Sequence, residues 1–258
     1  MDVVLPVFQL LYFVAHFLVS LALSVIDTFH DLHRLLLRLC SFLAPTLIPA
    51  CRLQADAAQL KKVPQHLGLI LVAHQTHQIS QLSTVISWAV AYGVRFVSLY
   101  DAHGILKRNK PVILKALEES NSDIMYNVLS YDQDCKPEKD TVAGKCVKTD
   151  TTTVHQEVTV NLLSQEDSRG NLASVAKRLS KTGCKITAST IESHLVTNGQ
   201  PDPDVVITVG ETFATFAFLP WQIRLAEFFV TSSLSRFEYS DFQTILKKYS
   251  RCEQRLGK

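Results

Sequence analysis

Apolar residues dominate the start of the chain. From Val3 to Ile26 the sequence is apolar almost without interruption, and its few polar positions are Gln9, His16, Ser20 and Ser24. A transmembrane helix needs roughly 20 such residues. No Lys or Arg precedes the run, which disfavours a signal peptide. The pattern therefore predicts a transmembrane anchor over residues 1–26, preceding a soluble domain.

Basic residues follow this run and none precedes it. They are Arg34, Arg38, Arg52, Lys61 and Lys62. Because cytoplasmic flanks of membrane spans are rich in Lys and Arg, we expect the C-terminal bulk of the chain in the cytosol. Residues 27–43 carry apolar side chains at steps of three and four, as in an amphipathic helix. Three arrangements remain open for this helix: on the membrane surface, continuous with the span, or packed on the domain.

From residue 63 onward, short β-rich runs alternate with helical ones. The predicted strands are Gly68–Ala73, Val94–Tyr100, Glu157–Leu163 and Asp204–Val209. The predicted helices are Gln78–Tyr92, Pro111–Glu119, Asp167–Thr182, Ala188–Thr197, Pro220–Val230 and Tyr239–Gln254. Strands separated by helices predict an α/β fold with a mostly parallel central sheet flanked by helices. We expect this domain over residues 63–258, an amphipathic helix and linker over 27–62, and a solvated loop near 130–153.

Charge and cysteine content narrow the functional class. The formal net charge is +2 over 258 residues, and no basic and aromatic stretch resembles a nucleic-acid groove. The six cysteines form no C-x-x-C pair and have no zinc-finger spacing. These features favour free, buried thiols in a domain on the reducing side of a membrane.

Ligands of parallel sheets bind beyond the carboxyl ends of the strands, so the loops there are candidates for chemistry. His74 and His77 follow the first strand and would be metal ligands only if a third ligand joined them. Asp101 and His103 follow the second strand, where closing a turn and capping the next helix is the favoured role. A stand-alone enzyme using His74, His77 and Asp101 is the weakest alternative. No metal site is predicted.

The loop after the fourth strand is unusually apolar. It runs from Gly210 to Trp221 and is rich in Phe. Such a loop beside a ligand site indicates either a surface for a partner protein or ordinary core. We predict a partner surface, whose residues are Phe216, Phe218, Leu219, Trp221 and Glu227.

The chain ends in Arg255-Leu256-Gly257-Lys258. The guanidinium of Arg255 offers a planar fork of donors that suits phosphate oxygens. Gly257 lets its backbone N–H approach a ligand closely. The tail is therefore a candidate diphosphate-binding element, although a tripeptide alone is a weak signal.

Three separated segments carry a resemblance to a known family. They are Val94–Arg108, the stretch from Pro203 to Glu227, and the terminal Arg255-x-Gly257. Over about residues 65–258 the chain resembles the cis-prenyltransferases, and among them the Nogo-B receptor type of non-catalytic subunit of eukaryotic dehydrodolichyl diphosphate synthase. The resemblance implies the undecaprenyl diphosphate synthase fold.

Departures from the catalytic members are equally informative. Where those members carry Asp-Gly-Asn-Arg after the first strand, this chain has Val72-Ala73-His74-Gln75. Where they carry Arg-Thr-Ser-Gly-Glu-x-Arg, it has Thr208 to Ala214, so that neutral residues replace both arginines. Glu227 matches a late carboxylate of the catalytic members. Diphosphate departure needs cations or Mg²⁺, so the resemblance implies that this chain is inactive alone.

The resemblance also implies a role. The chain would be a membrane-anchored accessory subunit, in the endoplasmic reticulum, of a complex that condenses isopentenyl diphosphate with farnesyl diphosphate. The product is the long polyprenyl diphosphate precursor of dolichol, which supports protein glycosylation. Arg255 and Gly257 would bind isopentenyl diphosphate in the active site of a catalytic partner, which would hold Mg²⁺. The alternative is an inactive membrane-bound binding protein or receptor with the same fold.

Overall fold

The computed structural model describes residues 16, 17, 19–21, 24, 25, 28, 50–72, 76–121, 124–131, 156–181, 183 and 185–253. The chain divides into two units, Met1–Ala50 and Cys51–Lys258. In the first unit the described residues are helical, and those before residue 50 have exposed side chains. Most of the predicted span 1–26 and nearly all of the amphipathic segment 27–43 lie outside the described residues. Within the described part of the chain, no helix is both long and apolar enough to cross a bilayer.

Among the described residues from 50 onward, there are six strands and seven α-helices. The strands are β1 His66–Leu71, β2 Phe96–Tyr100, β3 Ile124–Ser130, β4 Gln156–Leu163, β5 Val205–Val209 and β6 Glu227–Thr231. The helices are α1 Ala50–Ala58, α2 Ile79–Ala91, α3 Ile105–Arg108, α4 Lys110–Ser120, α5 Asn171–Leu179, α6 Ala188–Glu192 and α7 Tyr239–Arg251. A π-helical turn, Glu166–Gly170, precedes α5, and short 3₁₀ helices occupy Ile223–Leu225 and Leu234–Arg236.

All six strands form one parallel sheet in the order β3-β4-β2-β1-β5-β6. Every residue of the central strands β1 and β5 is buried. Since alternate residues of a strand point to opposite faces, both faces of the sheet centre are covered. The predicted parallel sheet with flanking helices is therefore confirmed. The edge strands β3 and β6 are only partly buried.

Aromatic side chains join the helices on one side of the domain. Trp88 of α2 and Tyr92, the residue directly after α2, pack against Tyr239 and Phe242 of α7. The hydroxyl of Tyr239 donates to Asp56 Oδ2 at 2.7 Å and thereby ties α1 to the same cluster. Helix α1 falls within the stretch predicted as helix and linker, and it packs on the domain.

The structure corrects the sequence prediction at two strands. The predicted helix Pro220–Val230 is wrong, because Ile223–Leu225 is a 3₁₀ turn and strand β6 begins at Glu227. Residues Phe228 to Thr231 are aromatic or β-branched and favour an extended chain, and they pair in parallel with β5. Strand β3 was missed. The solvated loop predicted for 130–153 lies outside the described residues beyond Tyr131.

Candidate functional site

Because the strands are parallel, their carboxyl ends meet at one edge of the sheet. Tyr100 at the end of β2 pairs with Ile70 of β1 and with Leu163 of β4. Ile70 in turn pairs with Thr208 of β5. This carboxyl edge therefore brings together the loops that follow β1, β2, β4 and β5, as the sequence predicts.

Asp101 organises the loop after β2. Its two carboxylate oxygens accept the backbone N–H groups of Ile105 at 2.7 Å and Leu106 at 2.9 Å, at the start of α3. The chain reverses at Gly104, whose φ of 65° suits glycine. His103 is exposed. The favoured interpretation of Asp101 as a capping residue is confirmed, and its carboxylate is occupied by this role.

The loop after β4 holds a buried ion pair that sequence reasoning missed. Lys107 Nζ lies 2.5 Å from Asp167 Oδ2 and also donates to the Tyr131 carbonyl at 2.6 Å. Asp167 Oδ2 further accepts the backbone N–H of Ser164 at 2.7 Å and its hydroxyl at 2.9 Å. The only available sequence signal was the Ser-x-x-Asp pattern, which resembles a helix capping box.

Part of the loop after β1 lies outside the described residues, including Ala73, His74 and Gln75. Thr76 is buried, and His77 is exposed. Across the residues that the structure describes, no group of three His, Cys, Asp or Glu side chains is arranged to hold a metal ion. The carboxylates of Asp101 and Asp167 already serve a helix cap and an ion pair. The described residues at this edge therefore do not fit a Mg²⁺ site.

The loop after β5 holds the positions matched to the two arginines of catalytic family members. Thr208 is fully buried, and its hydroxyl donates to the Ala214 carbonyl at 3.4 Å. A Cβ on Gly210 would lie 2.9 Å from Val72 Cγ2, so the β1 and β5 loops are in close contact. No Lys or Arg occurs between Thr208 and Ala214. This part of the edge offers no cation to a diphosphate.

The following turn has an uncommon backbone conformation. Phe216, Ala217 and Leu219 have φ values of 46°, 63° and 32°, which non-glycine residues seldom adopt. The Tyr100 hydroxyl holds the turn by donating to the Phe216 carbonyl at 2.5 Å, and Ser168 Oγ accepts the Leu219 N–H at 3.2 Å. Burial, with a smaller contribution from the charge of Asp101, raises the pKa of Tyr100 to about 12. The Tyr100 hydroxyl therefore remains a donor at neutral pH.

The predicted partner-surface residues do not share one environment. Phe218 and Leu219 are 0% and 1% exposed, so their side chains belong to the core of this chain and lie beneath any surface. Phe216 is exposed, whereas Trp221 is half-buried and donates to Glu192 of α6. The prediction of surface side chains is corrected for Phe218 and Leu219, because Phe218 packs edge-on against Tyr100.

Glu227 lies away from the carboxyl edge. It is the first residue of β6 and pairs with Val205, the first residue of β5, so it belongs to the amino edge of the sheet. Its backbone N–H donates to the Asp204 carbonyl at 2.9 Å. Glu227 therefore does not join Asp101 or Asp167 in one site.

An apolar surface lies beside edge strand β6. Its individual residues were not predicted from the sequence. Phe213 and Val230 are exposed, and the Phe213 ring packs edge-on against the half-buried Phe228 at 5.6 Å. Phe228 and Val230 are two positions apart on β6 and so point to the same face. We call Phe213, Phe228 and Val230 the edge-strand surface. It supplies exposed apolar area beside a strand that, among the described strands, pairs only with β5.

The candidate tail residues Arg255 and Gly257 lie outside the described residues, but the helix that leads to them is described. Near the end of α7, the Tyr249 hydroxyl donates to Asp204 Oδ1 at 3.2 Å. Asp204 immediately precedes β5, so α7 ends beside the amino edge of the sheet. The last turns of α7 therefore lie at the opposite end of the strands from this chain's own carboxyl-edge loops.

Comparisons with known proteins agree with the architecture of the site. Residues 112–257 match the prenyltransferase family model described as "Putative undecaprenyl diphosphate synthase". The dehydrodolichyl diphosphate synthase complex subunit NUS1 of Homo sapiens is 33% identical over 220 residues, which cover 80% of this chain and 71% of that protein. The subunit of the same name from Saccharomyces cerevisiae is 24% identical, covering 80% of this chain and 62% of its own length.

Solved structures of low sequence identity share the fold. Lavandulyl diphosphate synthase from Lavandula x intermedia aligns with a TM-score of 0.53 at 16% identity, over 75% of this chain and 98% of that one. A probable undecaprenyl diphosphate synthase from Campylobacter jejuni aligns with a TM-score of 0.50 at 18% identity, over 76% of this chain and 100% of that one. The parallel sheet with its carboxyl-edge loops is thus an architecture found in diphosphate synthases.

Proposed function

The chain belongs to the prenyltransferase family of undecaprenyl and dehydrodolichyl diphosphate synthases, and on that premise we propose that it is an accessory subunit of a heteromeric cis-prenyltransferase. The complex condenses isopentenyl diphosphate with farnesyl diphosphate into the long-chain polyprenyl diphosphate precursor of dolichol, which supports protein glycosylation. The NUS1 relatives, each named as a subunit of a dehydrodolichyl diphosphate synthase complex, support this assignment.

The observation that carries the accessory role is the neutral pair Thr208 and Ala214. These positions match the two arginines that clamp a diphosphate in catalytic members, and here they are hydrogen-bonded to each other. A diphosphate brings several negative charges that need cations or a metal ion in the transition state. Since the described carboxyl edge supplies neither a free cation beside Thr208 nor a metal-binding group, we expect this chain to be inactive alone. Mg²⁺ then belongs to the active site of the catalytic partner.

The C-terminal tail is the part of the chain that meets the substrate. Arg255 pairs with the diphosphate of isopentenyl diphosphate, and the backbone N–H of Gly257 donates a second hydrogen bond. Support comes from the position of α7, which ends beside Asp204 at the amino edge, away from this chain's own carboxyl-edge loops. A tail that starts there is better suited to reach a partner's active site than its own.

The partner binds along the edge strand. Phe216, Trp221 and Glu227 contribute together with the edge-strand surface, while Phe218 and Leu219 support that surface from the core. Exposed apolar area and an edge strand with unpaired backbone groups are both features that a protein interface buries. The anchor proposed for residues 1–26 holds the complex at the membrane of the endoplasmic reticulum, with the domain in the cytosol, because a long polyprenyl product is insoluble in water.

The test is incorporation of radiolabelled isopentenyl diphosphate by membranes that contain this chain, the catalytic partner, or both. Activity only with both subunits supports the accessory role. Arg255→Ala should lower turnover at least tenfold without weakening co-purification of the subunits, whereas Lys258→Ala, which removes another tail cation, should have little effect. A partner that is equally active alone would refute the role and favour a receptor or binding protein, and a chain active by itself would favour a stand-alone enzyme.

A further inference from the structure

The turn after Thr215 combines a strained backbone with an exposed aromatic side chain. Phe216, Ala217 and Leu219 have positive φ values, and a side chain makes this conformation costly at each residue. The turn is closed by the Phe218 N–H, which donates to the Thr215 carbonyl at 2.8 Å. Backbone strain persists only where the surrounding structure enforces it, and it is frequent at ligand clamps and switch regions. The turn is therefore a candidate for a function beyond chain reversal.

Two buried residues from distant segments hold the turn in this conformation. The Tyr100 hydroxyl donates to the Phe216 carbonyl at 2.5 Å, and Ser168 Oγ accepts the Leu219 N–H at 3.2 Å. Tyr100 is the last residue of β2, and Ser168 lies in the π-helical turn after β4. The conformation of Phe216 therefore depends on the carboxyl edge of the sheet and not on the sequence of the turn alone.

Packing within this chain accounts for only the second half of the turn. Phe218 and Leu219 are buried, so this half delivers two side chains to the core. Phe216, in the first half, is 44% exposed. Burial therefore does not explain a Phe at a φ of 46°, which Gly or Asn would adopt at lower cost. A large apolar side chain that an enforced backbone holds in solvent is typical of an anchor residue, which a binding partner buries.

We propose that Tyr100 is a positioning residue for subunit assembly, which fixes the turn so that Phe216 is a preformed apolar anchor for the catalytic subunit. The inference rests on the proposed function, because that subunit is the partner that buries the anchor. Phe216 follows Phe213 of the edge-strand surface by three residues in the same loop. A side chain whose backbone already has its bound conformation loses less conformational entropy on association, which strengthens binding without any added contact.

The experiment measures the dissociation constant between the full chain in detergent and the purified catalytic dehydrodolichyl diphosphate synthase subunit of the same organism. Phe216→Ala removes the anchor and should raise the dissociation constant by about tenfold or more. Tyr100→Phe keeps the Phe216 ring but releases its backbone, and should raise the dissociation constant by about fivefold. The double variant should bind like Phe216→Ala alone, because Tyr100 acts through Phe216.

Matched variants separate positioning from a general loss of stability. Tyr131→Phe removes a hydroxyl from the same buried cluster, but this hydroxyl donates to Asn161 Oδ1, so the dissociation constant should not change. Met125→Ala, at an exposed position of the opposite edge strand β3, should have no effect either. Limited chymotrypsin digestion of the chain without its partner, followed by mass spectrometry, should show faster cleavage after Phe216 in Tyr100→Phe than in Tyr131→Phe.

Two kinds of failure are distinguishable in these measurements. An unchanged dissociation constant in Phe216→Ala, or equal weakening by Tyr100→Phe and Tyr131→Phe, would overturn the positioning role and leave the accessory function standing. Additive effects of Tyr100→Phe and Phe216→Ala would also overturn it, because the two residues would then act independently. A wild-type chain that does not bind the catalytic subunit would overturn the accessory function and the anchor together.

Discussion

Lys107 and Asp167 form an ion pair at the carboxyl edge of the sheet, with Nζ 2.5 Å from Oδ2. The two side chains are 16% and 5% exposed, so both charges are largely withdrawn from water. The Tyr131 carbonyl and the Ser164 N–H and hydroxyl satisfy their remaining hydrogen-bonding capacity. This contact holds α3, in the loop after β2, against the π-helical turn after β4.

Removing one partner of this pair should destabilise the domain strongly. Lys107→Ala leaves the Asp167 carboxylate buried without its cation, and we expect the free energy of unfolding to fall by about 3 kcal/mol. Urea denaturation followed by circular dichroism measures the change.

The chain provides a matched control in Lys115→Ala. Lys115 lies 3.7 Å from Glu119, but these side chains are 76% and 67% exposed. Exposed pairs at this spacing contribute at most about 0.5 kcal/mol. Equal effects of the two variants would show that burial does not determine the strength of the Lys107 contact.

Asp204 should contribute strongly to stability, because its carboxylate accepts three hydrogen bonds from two other segments of the chain. Oδ2 accepts the N–H groups of Gln65 at 2.7 Å and His66 at 3.1 Å, and Oδ1 accepts the Tyr249 hydroxyl. Tyr249→Phe removes one of these bonds and should cost about 1–2 kcal/mol, while Asp204→Ala leaves all three donors unpaired and should cost about 3 kcal/mol or more. Thermal unfolding of the two variants gives the comparison. A Tyr249→Phe variant less stable than Asp204→Ala would contradict this account.

The strands that sequence analysis predicted correctly are those in which packing and local preference agree. Strands β1, β2, β4 and β5 are rich in β-branched and large apolar residues, and they form the centre of the sheet. Strand β3 carries Tyr126 and Asn127 between apolar residues and lies at an edge, where its pattern is weaker. Strand β6 was mistaken for a helix because Pro220 and the spacing after it resemble a helix start, whereas pairing with β5 decides the conformation.

The candidate site was predictable only in part. The sequence located the loops of the carboxyl edge and the cap formed by Asp101, since both depend on nearby residues. The Lys107–Asp167 pair and the burial of Phe218 depend on contacts between distant segments. The positive φ values of Phe216, Ala217 and Leu219 could not be predicted from the sequence either, because the turn contains no glycine.

Stability should fall in mild acid because of His66. Burial lowers the pKa of His66 from 6.5 to about 4, although hydrogen bonding to Pro201 opposes the shift. Its ring lies between the Pro201 carbonyl at 2.6 Å and the Ser98 hydroxyl at 2.8 Å. Between these two pKa values the unfolded chain binds a proton that the folded chain does not. The stabilisation is therefore complete above pH 6.5 and is lost as the pH falls toward 4, by up to about 3 kcal/mol.

Urea denaturation of the wild type and of His66→Gln at several pH values tests this prediction. His66→Gln keeps a donor and an acceptor but no titrating group, so the variant should have a flatter dependence of unfolding free energy on pH. The exposed His103 serves as the control, and His103→Gln should leave the dependence unchanged. An identical pH dependence in the wild type and His66→Gln would exclude His66 as its source.

Gly68 allows Phe218 to occupy the core, and enlarging it should destabilise the domain. A Cβ at this position would lie 3.0 Å from two ring carbons of Phe218 and 3.2 Å from Val206 Cγ2. Gly68→Ala should therefore cost about 1–3 kcal/mol through overpacking.

Gly170→Ala is the matched control. Gly170 has a helical φ of −60°, and an added Cβ would lie 3.8 Å from its nearest neighbour. This change should therefore stabilise the domain by about 0.4–1 kcal/mol. Phe218→Leu made together with Gly68→Ala should cost less than the sum of the single changes, since both act on one contact. Additive costs in urea denaturation would show that the ring of Phe218 is not what Gly68 accommodates.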